Sequence, residues 1–261
     1  MATLPNPLPK LAADPSGTSL GLELPAGSLI DATAEGPADE PLLWCAGETA
    51  RPGAWAALRA ARSTGLLPVL LDVDGGHGGP RDWELSPYEL SYPGDHDADE
   101  VLGELWEAYA SEDDEWPGLA EPLTLVADPD ARAAEVADSL ADGGSWLKDP
   151  RLALVPARRS ADIPAAIGWI GAANHESDTG LLCAVLRSWE DRFGIRVVAL
   201  AYDRLVLSVA APPTTPEEAE EIAAEHFAFC PDNITQGHHG TLHAYARHEV
   251  LGQRVWSFWW D

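Results

Sequence analysis

Lysine is nearly absent from this chain: of 261 residues two are Lys, Lys10 and Lys148, and Lys plus Arg total 16 against 43 Asp and Glu, for a formal net charge of −27. A protein that grips nucleic acid neutralises phosphates with Lys and Arg, so the deficit argues against a nucleic-acid partner, and equally against an anionic membrane surface. Long apolar runs are missing too. No stretch approaches the roughly 20 residues that a spanning helix requires. The opening Met1-Ala2-Thr3-Leu4-Pro5-Asn6-Pro7 has neither the basic start nor the apolar middle of a secretion signal, which predicts a cytoplasmic protein. The three cysteines, Cys45, Cys183 and Cys230, form no CxxC pair, and none is expected in a disulfide. Methionine occurs once and phenylalanine four times, whereas tryptophan occurs 11 times; each buried indole needs both a packed slot and a partner for its N–H.

The charge is unevenly placed. Residues 1–150 carry a net −22 and residues 151–261 a net −5, and between Arg81 and Arg132 there is no Lys or Arg but 16 Asp and Glu. Two clusters stand out there, Asp95, Asp97, Asp99 and Glu100, and then Glu112, Asp113, Asp114 and Glu115. Runs of this kind are commonly solvated faces, and a large negative charge also serves solubility alone.

Punctuation and periodicity predict the elements. Residues 1–40 read as an irregular Pro/Gly-rich leader. An acidic N-terminal α/β domain over 41–145 begins with a strand at 42–45, a helix at 52–63 and a strand at 66–73. It continues with an amphipathic helix at 98–109, a strand at 123–126 and a helix at 131–140. A linker near Asp142-Gly143-Gly144-Ser145 leads to the C-terminal part over 151–261. There a strand at 152–155 precedes a helical segment holding Ile163, Ile167 and Ile170, and Asp178-Thr179 caps a helix stopped by Gly194. Strands at 195–200 and 205–209, a helix opened by the capping box Thr215-Pro216-Glu217-Glu218, a helix near 242–250 and a closing strand at 255–260 follow. The order β, α, β, β, α, β predicts a ferredoxin-like split βαβ domain, so the whole is expected to be α/β (α+β) in class.

Four words of the C-terminal part carry a resemblance: Asp162-Ile163-Pro164-Ala165-Ala166-Ile167-Gly168-Trp169, Val185 through Gly194, His226-Phe227-Ala228-Phe229-Cys230-Pro231-Asp232-Asn233, and Trp256-Ser257-Phe258-Trp259-Trp260. Together they resemble the bacterial family catalogued as domain of unknown function 4253, over about residues 151–261. The resemblance implies no activity, cofactor or catalytic residue.

Several constellations bear on chemistry. His226, His238, His239, His243 and His248 crowd the C-terminal region near Cys230. On a helix over 239–250, His239 and His243 would share a face, and Cys230, Asp232 or His238 would offer a third ligand; zinc is the metal such a set suits. The alternative is a polar turn. Otherwise no cofactor is expected. Cys230 with His226 forms a conceivable nucleophile and base, set against a buried, inert thiol. Asp72-Val73-Asp74 at a strand end is similar to the D-x-D of haloacid-dehalogenase-like phosphotransferases but lacks the residues that should follow it; an Asx turn is the commoner meaning. Gly75-Gly76-His77-Gly78-Gly79 lacks the spacing and the lysine of a phosphate-binding P-loop. Trp169, Asn174 and Glu190 are candidates to line a pocket between helix and sheet, while Trp189 reads as core.

The expectation with most support is a non-catalytic binding or regulatory protein, like an inhibitor or immunity protein, whose acidic face docks a basic protein partner. Two rivals remain: a metal-assisted hydrolase centred on residues 230–243, and a small-molecule-sensing domain.

Overall fold

The structure is a computed structural model and describes residues 6–34, 36–88, 90–111 and 114–261. In chain order it contains α1 (Pro9–Ala13), β1 (Gly27–Ile30), β2 (Ala32–Thr33), β3 (Gly36–Pro37), β4 (Leu43–Thr49), α2 (Ala54–Ala57) and β5 (Leu66–Asp72). Then come α3 (Ala98–Tyr109), α4 (Pro129–Ala141), β6 (Pro150–Pro156), α5 (Ile163–Ile167), α6 (Thr179–Phe193), β7 (Arg196–Leu200) and β8 (Arg204–Ser208). The chain closes with α7 (Pro216–Phe229), α8 (Asp232–Thr235), α9 (Leu242–Tyr245) and β9 (Val255–Trp259).

Helix ends follow local chemistry. The Asp97 carboxylate accepts from the amides of Asp99 and Glu100 to start α3, and Asp178 does the same for α6 through Gly180. Thr215 and Glu218 complete a reciprocal capping box on α7. Gly194, at φ 63°, ends α6 in the left-handed conformation. The helix expected over 52–63 is much shorter: α2 gives way at Leu58 to a 3-10 turn over Arg59–Thr64. There the hydroxyls of Ser63 and Thr64 donate to the carbonyls of Ala60 and Ala61, offering the backbone a different set of partners. Likewise α5 stops at Gly168, φ 69°, short of Ile170. The strand expected at 123–126 is not formed. In that segment Leu123 N donates to Arg192 O and Val126 N to Ala210 O, and no strand ladder forms among the described residues.

Seven strands form one sheet in the order β1-β4-β6-β5-β7-β8-β9, while β2 and β3 pair separately. Neighbours are antiparallel except β5 and β7, so the sheet is mixed but mainly antiparallel. The four strands β6, β7, β8 and β9 keep the expected chain order, but they do not make a sheet of their own. β5 lies between β6 and β7, and β6 pairs with both β4 and β5, so the sheet runs straight through the expected boundary near 145–151. The sequence of β6, with Leu152 to Val155 all buried, explains this: a strand apolar on both faces needs cover on both sides and partners on both edges. Pro68 sits inside β5, and the parallel ladder to β7 begins only beyond it, at Leu70, consistent with a residue that has no N–H to donate.

The indole of Trp189 on α6 lies among Phe229 of α7 and Trp256 and Phe258 of β9, at ring-centroid distances of 4.8, 5.6 and 5.5 Å. The register puts Leu205 and Leu207 opposite Phe258 and Trp256, so this face of β8 and β9 looks toward α6 and α7. Val206 and Ser208 point the other way and are buried where α4 contacts β7 and β8. Helices thus cover the sheet on both sides.

Candidate functional site

The amphipathic pattern of α3 buries Val101, Leu102, Leu105 and Trp106 and leaves Tyr109 44% exposed at its C-terminal end. Two tryptophans then fold the acidic stretch back onto the helix. Trp106 Nε1 donates to the Asp114 carbonyl at 2.9 Å, and Trp116 Nε1 donates to the Asp99 carboxylate at 2.8 Å. The two indoles meet at 5.6 Å, and Trp106 sets its edge against Phe227 of α7 at 5.4 Å.

A groove of about 1070 Å³ opens between this α3 wall and the wall made by α7 and α9. Its aromatic lining is Trp106, Tyr109 and Phe227, and its charged lining is Asp114 and Glu115 from the segment after α3 and Glu220 and Glu221 from α7. No Lys or Arg occurs among its described lining residues. At the rim, His243 Nδ1 lies 2.6 Å from Glu220 Oε1.

The acidic residues singled out by sequence therefore separate. Asp97 caps α3 and Asp99 receives Trp116, while Asp95 ends a 3-10 turn just before the helix and Glu100 is exposed in its first turn. Asp114 and Glu115 enter the groove. Glu112 and Asp113 lie outside the described residues. The partners Glu220 and Glu221 escape a search for acidic runs because they come from a different helix; the helical spacing of α7, with Ala219, Ile222 and Ala223 buried, was the available signal that these carboxylates face outward.

The pocket expected around Trp169, Asn174 and Glu190 does not assemble. Trp169 is buried with its N–H on the Ala201 carbonyl at 2.8 Å. Asn174 is exposed and donates to the Asp261 carbonyl. Glu190 accepts from the Ala161 amide at 3.0 Å and lies between Arg159 and Arg196. Each of these polar groups is engaged with a different segment of the chain.

The zinc set His239, His243 and Cys230 is not gathered either. α9 begins only at Leu242 and continues as a π turn over Ala246–Val250, so His239 and His243 do not share a helical face. His239 pairs with Glu249 at 2.9 Å and stacks on His248, and His243 pairs with Glu220. Cys230 is buried, its thiol 3.0 Å from the Trp259 carbonyl. Among the described residues no group of three or more His, Cys, Asp or Glu is placed to hold a metal ion.

The thiols are free and buried, and burial pushes all three up in pKa, Cys45 to about 11. An activated nucleophile needs the opposite shift. His226 is fully enclosed and held down to about 3 by burial; its Nδ1 meets the Tyr245 hydroxyl at 3.1 Å, and its Nε2 has no hydrogen-bond partner among the described residues. Cys230 and His226 thus form no nucleophile and base. Asp72 is 4% exposed, and its Oδ1 accepts from the amides of Lys148 and Asp149, a loop clamp at the end of β5.

Residues 151–261 match the model of the family described as domain of unknown function (DUF4253). No curated protein and no solved structure matches the chain. The α7 and α9 wall of the groove falls inside the matched stretch, and the α3 wall falls outside it.

Proposed function

We propose that this chain is a non-catalytic binding protein of the cytoplasm whose acidic surface docks a basic protein partner, as an inhibitor or immunity protein does, with the groove between α3 and α7 as the seat. The family match brings no activity or cofactor, so the reading rests on the groove. Its carrying observation is that Asp114, Glu115, Glu220 and Glu221 line one groove with Trp106, Tyr109 and Phe227, with no Lys or Arg among the described lining. Carboxylates of this density attract a cationic segment and speed its encounter. The aromatic lining then offers what carboxylates cannot: apolar area for the stems of Arg or Lys side chains, and ring faces for their charged heads. Hot spots of binding are typically aromatics that a partner desolvates on docking, ringed by polar groups.

The test is titration of the full chain with an arginine-rich peptide and with a glutamate-rich peptide of equal length. The arginine-rich peptide should bind, and raising salt from about 50 to about 300 mM should weaken it by about tenfold or more, because screening shortens the reach of the carboxylates. The variant carrying Asp114→Asn, Glu115→Gln, Glu220→Gln and Glu221→Gln should lose most of that affinity. Salt-independent binding that survives the four substitutions, or no discrimination between the peptides, would overturn the proposal.

A further inference from the structure

β5 and β7 are the parallel pair of the sheet, and both leave it at the same end. From β5 the chain enters the loop Gly75-Gly76-His77-Gly78-Gly79, and from β7 it turns through Tyr202-Asp203-Arg204. A cavity of about 480 Å³ opens between the two, closed on a third side by Trp146 and Lys148. In sheets with parallel strands, ligands characteristically seat outside the carboxyl ends of those strands.

Unlike the acidic groove, this cavity has bases in its lining: Lys148 and Arg204 balance the two acids Asp72 and Asp203. It gathers Lys148, one of only two lysines in the chain, with Arg204. The carboxylate on its floor, Asp72, already accepts two backbone amides at 3.1 and 3.0 Å. The other acid, Asp203, stands 4.0 Å from Arg204. The amides of Gly75, Gly76 and His77 donate to no group among the described residues. A Cβ added at Gly76 would meet nothing within 4 Å, and one at Gly75 only Asp72 Oδ2 at 3.9 Å, so the backbone of this loop is open to close approach. Successive free amides beside cations are a recurring cradle for anions.

The walls already hold flat groups. His77 stacks on Tyr202 with centroids 4.0 Å apart and planes 10° from parallel, and the Arg204 guanidinium lies 4.9 Å over the Trp146 ring. His77 is itself exposed, so its outer face can extend the stack by one more ring.

We propose that this cavity binds a phosphate monoester of a flat heterocycle, with the phosphate against Lys148, Arg204 and the loop amides and the ring stacked on the His77–Tyr202 pair. A phosphate is favoured over a carboxylate because the donors outnumber what two carboxylate oxygens accept in good geometry, and they arrive from three segments of chain. The site is separate from the acidic groove, and neither depends on the other.

Calorimetric titration of the full chain with adenosine monophosphate, uridine monophosphate, adenosine and inorganic phosphate tests it. At least one of the two nucleotides should bind at a single site, about tenfold or more tighter than inorganic phosphate or adenosine, since only the nucleotide satisfies both halves of the cavity. Lys148→Ala and Arg204→Gln should each weaken that binding by about tenfold or more, the usual effect of losing a charge-assisted contact, at unchanged melting temperature. His77→Ala should weaken nucleotide but not inorganic phosphate. Asp114→Asn, in the acidic groove, should leave nucleotide binding unchanged. Absence of binding by both nucleotides, or binding that Lys148→Ala and Arg204→Gln leave intact, would overturn the site; phosphate binding as tightly as nucleotide would overturn the place given to the ring.

Discussion

The guanidinium of Arg192 meets the carboxylate of Glu225 side by side, Nη1 to Oε1 at 2.7 Å and Nη2 to Oε2 at 2.6 Å, with Glu225 fully buried. Each carboxylate oxygen takes a second donor, the Ala120 amide at 2.8 Å and Trp189 Nε1 at 2.7 Å, and Arg192 also donates to the Ala120 carbonyl. The pair ties α6 and α7 to a segment of the N-terminal half. Removing one partner leaves the other charged and unmatched in the interior, so Glu225→Gln or Arg192→Met should lower the free energy of unfolding by about 3–5 kcal/mol. Denaturant melts measure this; a loss below about 1 kcal/mol would show that the interior re-solvates the survivor.

His226 gives the fold an acid-sensitive element. Burial lowers its pKa to about 3 in the folded chain against the ordinary 6.5, so between those values the unfolded chain binds the extra proton. Stability from this group is therefore complete above pH 6.5 and is lost as pH falls toward 3, by up to a few kcal/mol. The slope of stability with pH over that window should be shallower in His226→Phe than in the parent. Equal slopes would mean that other groups account for the acid loss.

The stretch 151–261 should not fold alone. Without the preceding chain β6 loses both its neighbours, β4 and β5, and β7 loses β5. The isolated fragment is expected to lack a cooperative thermal transition and dispersed amide resonances. A folded fragment would show that β6 to β9 can close a sheet in some other register.

Tyr109 is the groove aromatic most free of the core: it is 44% exposed and rests against His175 at 4.8 Å. Tyr109→Ala should leave the melting temperature nearly unchanged yet weaken binding of a basic peptide by about 1–2 kcal/mol, the range for truncating an aromatic anchor. Equal affinities for parent and variant would remove this ring from the binding surface.

Much of the secondary structure was legible because its signals are local. Asp178 and the Thr215–Glu218 box start helices where they were expected to, and Gly194 ends one. The short α2 and the missing strand at 123–126 escaped because competing hydroxyl bonds and the lack of a neighbouring ladder do not alter apolar spacing. Of the candidate sites, the wealth of acid was visible, but which carboxylates share a groove was not.

The sequence alone determined that this protein is strongly anionic, short of lysine and without a long apolar run, since these are counts and orders of residues and need no fold. Tertiary structure alone decided that β6 slips between two strands of the other half, that Glu220 and Glu115 line one groove, and that His239, His243 and Cys230 stay apart. The reason is physical: pairing between distant segments is chosen by which buried edges and faces find mutual cover, and a linear spacing rule carries no record of that choice.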